Sequence, residues 1–145
     1  MGFLGFSIPA KTAMIFDSGD APFSATTLAT TGFSVVRILQ LPAETANKYL
    51  SVASFTATQN KTLGALEEST GTTWAVKKNS AEETLIAGRE MFAKGERKGA
   101  GMMLIGTLFK DEGTEKVVKK ENLANEILGL PKEDLKTTVE KIVSA

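Results

Sequence analysis

Neither cysteine nor histidine occurs among the 145 residues of this chain. The first absence removes disulfides, thiolate nucleophiles and thiolate metal sites, and it suits a cytoplasmic setting, where disulfides are rare. The second removes Ser-His-Asp and Cys-His catalysis, His-ligated zinc and a histidine acid or base. Excess charge is missing as well, because 17 Lys and Arg balance 17 Asp and Glu and the pI is near 6.3. A surface so balanced has no electrostatic footprint for nucleic acid or an anionic membrane, so neither is expected as a partner. The apolar start, Met1 to Pro9, lacks the basic flank of a signal peptide, and Lys11 ends it far short of the ~20 residues of a membrane span. It reads as a loop.

Phosphate-binding glycine loops are absent too. Neither G-x-G-x-x-G nor G-x-x-x-x-G-K-[ST] occurs, and Gly99-Ala100-Gly101 follows a charged turn instead of a strand. The single tyrosine, Tyr49, has Ala53 four residues on, which excludes the Tyr-x-x-x-Lys pair of ordinary short-chain dehydrogenases.

What is present is the patterning of one α/β unit, in a length that can bury roughly two-thirds of its unfolded surface. Lys11 to Phe16 reads as a strand, followed by turn chemistry in Asp17-Ser18-Gly19-Asp20. Leu28, Gly32, Val35, Val36 and Leu39 fall on one face of a helix that Pro42 closes, which places Gly32 on the buried face beside a strand or a ligand. Tyr49, Leu50 and Val52 give a strand over Lys48 to Ser54, and Thr56 with Gln59 has capping-box spacing for a helix that Gly71 ends. That strand and helix form half of a β-α-β unit, with a ligand crevice expected at the strand's carbonyl end.

Thr72 to Lys77 alternates as a half-buried strand carrying the only Trp, and Ser80 with Glu83 caps a second helix. Gly99 to Phe109 is apolar almost all round, with Met102, Met103, Leu104, Ile105, Leu108 and Phe109, and is either core or the wall of an apolar pocket. Asp111 to Lys120 reads as a loop and Asn122 to Leu128 as a short helix stopped by Gly129. Pro131 opens a last helix, with Glu133 and Asp134 in its first turn.

No constellation of reacting groups stands out. Glu67-Glu68 and Glu82-Glu83 are adjacent on helices and do not face each other, so neither pair is a poised acid and base. Two carboxylates in the Asp17 to Asp20 turn fall short of the six or more oxygens calcium needs. Lys77-Lys78 and Lys119-Lys120 are too sparse for a polyanion patch. No catalytic and no metal-binding residue is assigned.

Several separated runs occur in an order that resembles one family. Phe16 to Gly32, then Pro42 to Leu50, then Ser54 to Asn60, and finally Asn122 to Ser144 with Leu128-Gly129-Leu130-Pro131-Lys132-Glu133-Asp134-Leu135, are similar to the NmrA-like, isoflavone reductase-like family, in its fungal-type subgroup. Phe3-Leu4-Gly5-Phe6 fits there as well. The resemblance spans residues 1–145 as a single partial domain and covers only the family's C-terminal half.

It implies an atypical short-chain dehydrogenase: an N-terminal Rossmann half that holds NADP(H) or NAD(H), and a smaller C-terminal half that closes over a small-molecule substrate. The glycine loop and the reductase lysine of the family map to no residue here. The expectation is therefore an α/β, substrate-side portion of a Rossmann-type fold, few strands with several helices and without the nucleotide-binding half. It would bind no cofactor and be inactive alone, as part of a longer gene product or as a short paralogue. Phe3, Phe6, Met102 and Met103 are the expected apolar lining for substrate. Strand edges left without neighbours would favour self-association. The alternative expectation is a non-enzymatic regulatory or interaction module.

Overall fold

The strand β2 (Thr12–Phe16) organises the chain in a computed structural model that describes residues 4–112 and 117–144. Its side chains alternate between two apolar clusters, as strand geometry requires. Ala13 and Ile15 join Leu66, Trp74 and Val139, whereas Met14 and Phe16 join Phe23, Ala57, Ala81 and Phe109. The Phe109 ring stacks on Phe16 with centroids 5.7 Å apart and meets Phe23 edge-on at 5.4 Å. Both faces of β2 are covered.

Residues expected to be a loop supply β1 (Phe6–Ser7), antiparallel to β2 with Phe6 opposite Ala13. On the other edge β5 (Ala75–Asn79) runs parallel, Thr12 opposite Ala75 through Phe16 opposite Asn79. The long crossover that a parallel pair needs contains a second, two-stranded sheet, β3 (Phe23–Ala25) against β4 (Phe55–Ala57), and the helices α1 (Leu28–Gln40), α2 (Pro42–Thr45) and α3 (Gln59–Thr70). After β5 follow α4 (Ala81–Ala93), α5 (Lys98–Phe109), a 3-10 turn at Lys120–Asn122 and α6 (Leu135–Val143).

Several expectations shift in register. The strand expected over Lys48 to Ser54 is irregular, with a lone bridge from Ser51 to Leu123, and Tyr49 is fully exposed. The strand comes later because Thr56 stands opposite Ser24 in the β3–β4 ladder. Thr56 is thereby committed to the sheet, and Thr58 caps α3 instead, its hydroxyl accepting from Lys61 N. Gln59 is then the first helical residue and is buried: its Nε2 donates to Leu4 O and Met14 O, and its Oε1 accepts from Phe16 N. Gly71 ends α3 at φ 62° as expected. Because β4 and β5 belong to different sheets, β4, α3 and β5 do not form a β-α-β unit.

β5 begins at Ala75 because pairing with β2 starts there. Trp74 just before it is buried, its backbone N–H donating to Glu67 and its indole N–H to Thr70 Oγ1. Residues 124–129 make a single turn, and Pro131 precedes α6 by four positions. Asp134, in extended backbone, caps α6 by accepting from Thr137 N.

α1 spans its expected residues with its faces reversed. Thr30 and Ser34 are buried, while Leu28, Val35, Val36 and Leu39 are 91, 52, 49 and 77 % exposed. Gly32 lies on the open side, where an added Cβ would meet no atom within 4 Å. Inward contacts of α1 are polar: Thr30 Oγ1 donates to Glu133 and Arg37 Nε to Leu128 O.

α4 and α5 form a tight antiparallel hairpin. A Cβ on Gly88 would stand 2.8 Å from Met103 N, and one on Gly106 would stand 2.7 Å from Ala81 O. Phe109, Ile105 and Leu108 serve the second apolar cluster.

Candidate functional site

Asn125 builds the mouth of an open cleft. Its amide Nδ2 donates to Ala53 O at 2.8 Å and its Oδ1 accepts from Ala53 N at 3.3 Å, copying the pair of bonds a neighbouring strand would make. Ala124 N donates to Ser51 O, and Val118 N donates to Ser24 Oγ. These bonds hang the segment 118–133 beside β3 and β4, and between the two walls lies a cleft of about 800 Å³. That volume is within the range of small-molecule sites. Its apolar lining comes from Phe55, Val118, Leu123, Ile127, Leu130 and Pro131, with Lys120 and Lys132 among its charged groups.

One wall is fixed by a carboxylate held on three hydroxyls. Glu133 Oε2 accepts from Ser54 Oγ at 2.5 Å, Thr30 Oγ1 at 2.7 Å and Thr27 Oγ1 at 2.9 Å. The hydroxyls are themselves positioned by the backbone: Thr27 Oγ1 accepts from Thr30 N as the cap of α1, and Ser54 Oγ accepts from Thr27 N. The negative charge therefore sits at the positive end of a 13-residue helix. Ser54 above all, then Thr30 and Thr27, hold the Glu133 carboxyl below the ordinary carboxylate range against the opposing effect of partial burial. An acid so stabilised is a poor base at neutral pH, since general bases work best with a pKa near the operating pH. Glu133 clamps the wall through these three hydroxyls.

Of the residues expected to line a substrate site, Phe6 packs on the cluster of Ala13, Ile15 and Val139. Met102 and Met103 lie in the α4–α5 hairpin, and none of the three lines the cleft. Phe3 lies outside the described residues. Sequence reasoning passed over Ser54, Asn125 and Glu133 because each belonged to a run assigned to a strand or helix that forms elsewhere. The signal that points to them is the cluster of Thr27, Thr30 and Ser54 hydroxyls in two of the runs quoted above.

A dinucleotide needs free backbone N–H groups for its diphosphate, most often at a helix N-terminus. In α4 the Ala81 N–H donates to Asp17 Oδ1 and the Glu83 N–H to Ser80 Oγ. In α3 the Asn60 N–H donates to Gly19 O and the Lys61 N–H to Thr58 Oγ1. In α1 the Thr30 N–H is capped and the Glu133 carboxylate stands beside it. At each of these three starts one or two of the leading N–H groups are already bonded, and at α4 and α1 a carboxylate stands beside the helix end, which opposes a diphosphate there. Among the described residues no group of three or more Asp and Glu is placed to hold a metal ion, and no helix is long and apolar enough to cross a membrane.

No family model matches the chain. It is 37 % identical over 143 residues to the oxidoreductase poxI of Penicillium oxalicum, covering 97 % of this chain and 45 % of that protein. The oxidoreductase aprR of Aspergillus flavus is likewise 37 % identical, over 142 residues, covering 97 % of this chain and 48 % of the relative. The chain thus spans about half the length of the curated relatives it matches. The crystal structure of a nucleoside-diphosphate-sugar epimerase from Staphylococcus aureus superposes with a TM-score of 0.59 at 15 % identity, over 92 % of this chain and 44 % of the epimerase. The fold is therefore an α/β portion of a Rossmann-like architecture, with few strands and several helices.

Proposed function

We propose that this chain is the substrate-side portion of an NmrA-like, isoflavone reductase-like oxidoreductase, and that its cleft receives a small organic substrate. The observation that carries the reading is the 37 % identity to two fungal oxidoreductases along 97 % of the chain. The cleft supports it, with one largely apolar surface, a wall locked by Glu133, and Lys120 and Lys132 available to steer a polar group of the ligand. In the family resemblance, hydride comes from NADP(H) or NAD(H) bound outside this portion. The chain's own part is to bind and orient substrate and to exclude water. Alone it turns over nothing.

The competing reading is a regulatory or interaction module, favoured by the exposed apolar face of α1. Calorimetric titration of the 145-residue chain with NADPH tests the division of labour. The expected result is no heat of binding up to millimolar cofactor, and micromolar affinity would overturn it.

A further inference from the structure

We infer that the second carboxylate oxygen of Glu133, Oε1, anchors the substrate in the cleft and selects an uncharged, largely apolar compound that carries an O–H or N–H donor. The inference rests on the reading of this cleft as the substrate site. The hydroxyls of Ser54, Thr30 and Thr27 all converge on Oε2, and Oε1 accepts from none of the described residues. No buried side-chain nitrogen or oxygen among the described residues lacks a partner, so Oε1 is open to solvent and not sealed inside the wall. Glu133 lines the cleft. An oxygen in that place, on a carboxylate fixed by three bonds, is a pre-placed acceptor, and an ionised acceptor makes the stronger class of hydrogen bond.

The wall around it suits a neutral molecule. In the β3–β4 ladder Phe23 and Ala57 turn into the second apolar cluster, and alternation turns Ser24 and its partner Thr56 the other way. Ser54 continues that face two residues before Thr56, its N–H donating to Ala25 O, and Ser24, Ser54 and Thr56 all line the cleft. Ser54 spends its proton on Glu133, whereas Ser24, which accepts from Val118 N, and Thr56 donate to no described residue. The sheet side of the cleft thus offers one anionic acceptor and two hydroxyls, and the segment 118–133 offers Leu123, Ile127 and Leu130. Charged groups of the lining are Lys120 and Lys132 against Glu121, Glu126 and Glu133. That balance gives an anionic ligand no net attraction, and a ligand carboxylate beside Oε1 would be repelled.

Titration of the intact 145-residue chain at pH 7, followed by amide NMR, with 4-isopropylbenzyl alcohol, its methyl ether and 4-isopropylbenzoate tests this. The three probes share one apolar body and differ in the donor. The alcohol should shift the amides of Ser24, Ser54 and Thr56 and bind at least about tenfold more tightly than the ether or the benzoate. It should also move the carboxyl carbon resonance of Glu133, which the ether should leave in place. Glu133→Gln, which removes the charge, should bring alcohol and ether within about twofold of each other. Each ratio is taken within one protein, so a lower folded fraction cancels from it, and a variant that does not fold leaves the wild-type ratio to decide. Equal binding of alcohol and ether, tightest binding of the benzoate, or a preference untouched by Glu133→Gln would overturn the inference and leave the cleft standing as a substrate site. Binding of none of the three at the cleft would overturn both.

Discussion

Ser54 Oγ donates to Glu133 Oε2 at 2.5 Å, joining the approach to β4 with the segment that precedes α6 across 79 residues of chain. The bond is in the range of charge-assisted O–H···O⁻ contacts. With Thr27 and Thr30 it closes the wall of the cleft onto the start of α1. Replacing the carboxylate by an amide, Glu133→Gln, removes the charge and turns one acceptor into a donor facing hydroxyls. A loss of about 2 kcal/mol is expected, since bonds to charged groups contribute ~1.5–3 kcal/mol each and the hydroxyls reorient in part. Urea unfolding of the two proteins at pH 7 measures it.

The pH dependence of that loss has a definite sign. Glu133 has its pKa lowered from the ordinary 4.5 in the folded state, so the unfolded chain takes up the proton first as pH falls. The stabilisation is fully present above the unfolded value and is lost as pH drops through the folded one. Asp134, lowered chiefly by the Thr137 N–H and then its hydroxyl, acts in the same direction but is fully exposed. The gap in urea midpoint between wild type and Glu133→Gln should be constant from pH 6 to 7 and should shrink below about pH 4.5. A gap that widens on acidification would contradict the assignment.

Gln59 is the polar residue on which the central strand depends. Replacing it with Leu leaves Phe16 N–H, Leu4 O and Met14 O without their partner in a buried setting. A cost of about 3 kcal/mol is expected, as an unsatisfied buried group costs ~1–3 kcal/mol. Amide exchange of Phe16, slow in the wild type, should accelerate in step.

Two glycines should respond in opposite ways to the same substitution. Gly99→Ala would push a methyl onto Gly88 O and to 2.5 Å from Phe92 N, backbone atoms that cannot step aside. The α4–α5 hairpin should open, with a loss above ~2 kcal/mol by overpacking. Gly64→Ala, in α3 with nothing within 4 Å, should stabilise by ~0.5–1 kcal/mol through helix propensity. Thermal melts followed by circular dichroism report both.

The sequence was legible where local chemistry acts alone. Thr12 to Phe16 alternates as a strand, Ser80 caps α4 through Glu83 N, and Gly71 ends α3 with positive φ, all within a few residues of the signals that announced them. It was misread where distant partners decide. Thr56 lost its capping role to a strand 32 residues away, and Pro131 lost α6 to the Glu133 clasp and the Asp134 cap. Most instructive is α1, whose apolar stripe was expected inside. A hydrophobic period locates a helix and its apolar face, but whether that face meets the chain's own core or another surface is a tertiary fact. The crevice expected at the carbonyl end of the Lys48 to Ser54 run is there, lined by Ala53, Ser54 and Phe55, but its other wall was not legible, since Asn125 and Glu133 reach it only after folding.

The most direct test of the substrate-side assignment is an exchange of parts. Put this chain in place of the 143-residue matched region of the Penicillium oxalicum oxidoreductase, then measure NADPH binding and NADPH consumption against a panel of small carbonyl and enone compounds. The account predicts a chimera whose NADPH binding matches that measured for the parent and which consumes NADPH with at least one compound, an activity reduced by Glu133→Gln. A chimera that folds and binds NADPH but consumes it with none would contradict the assignment.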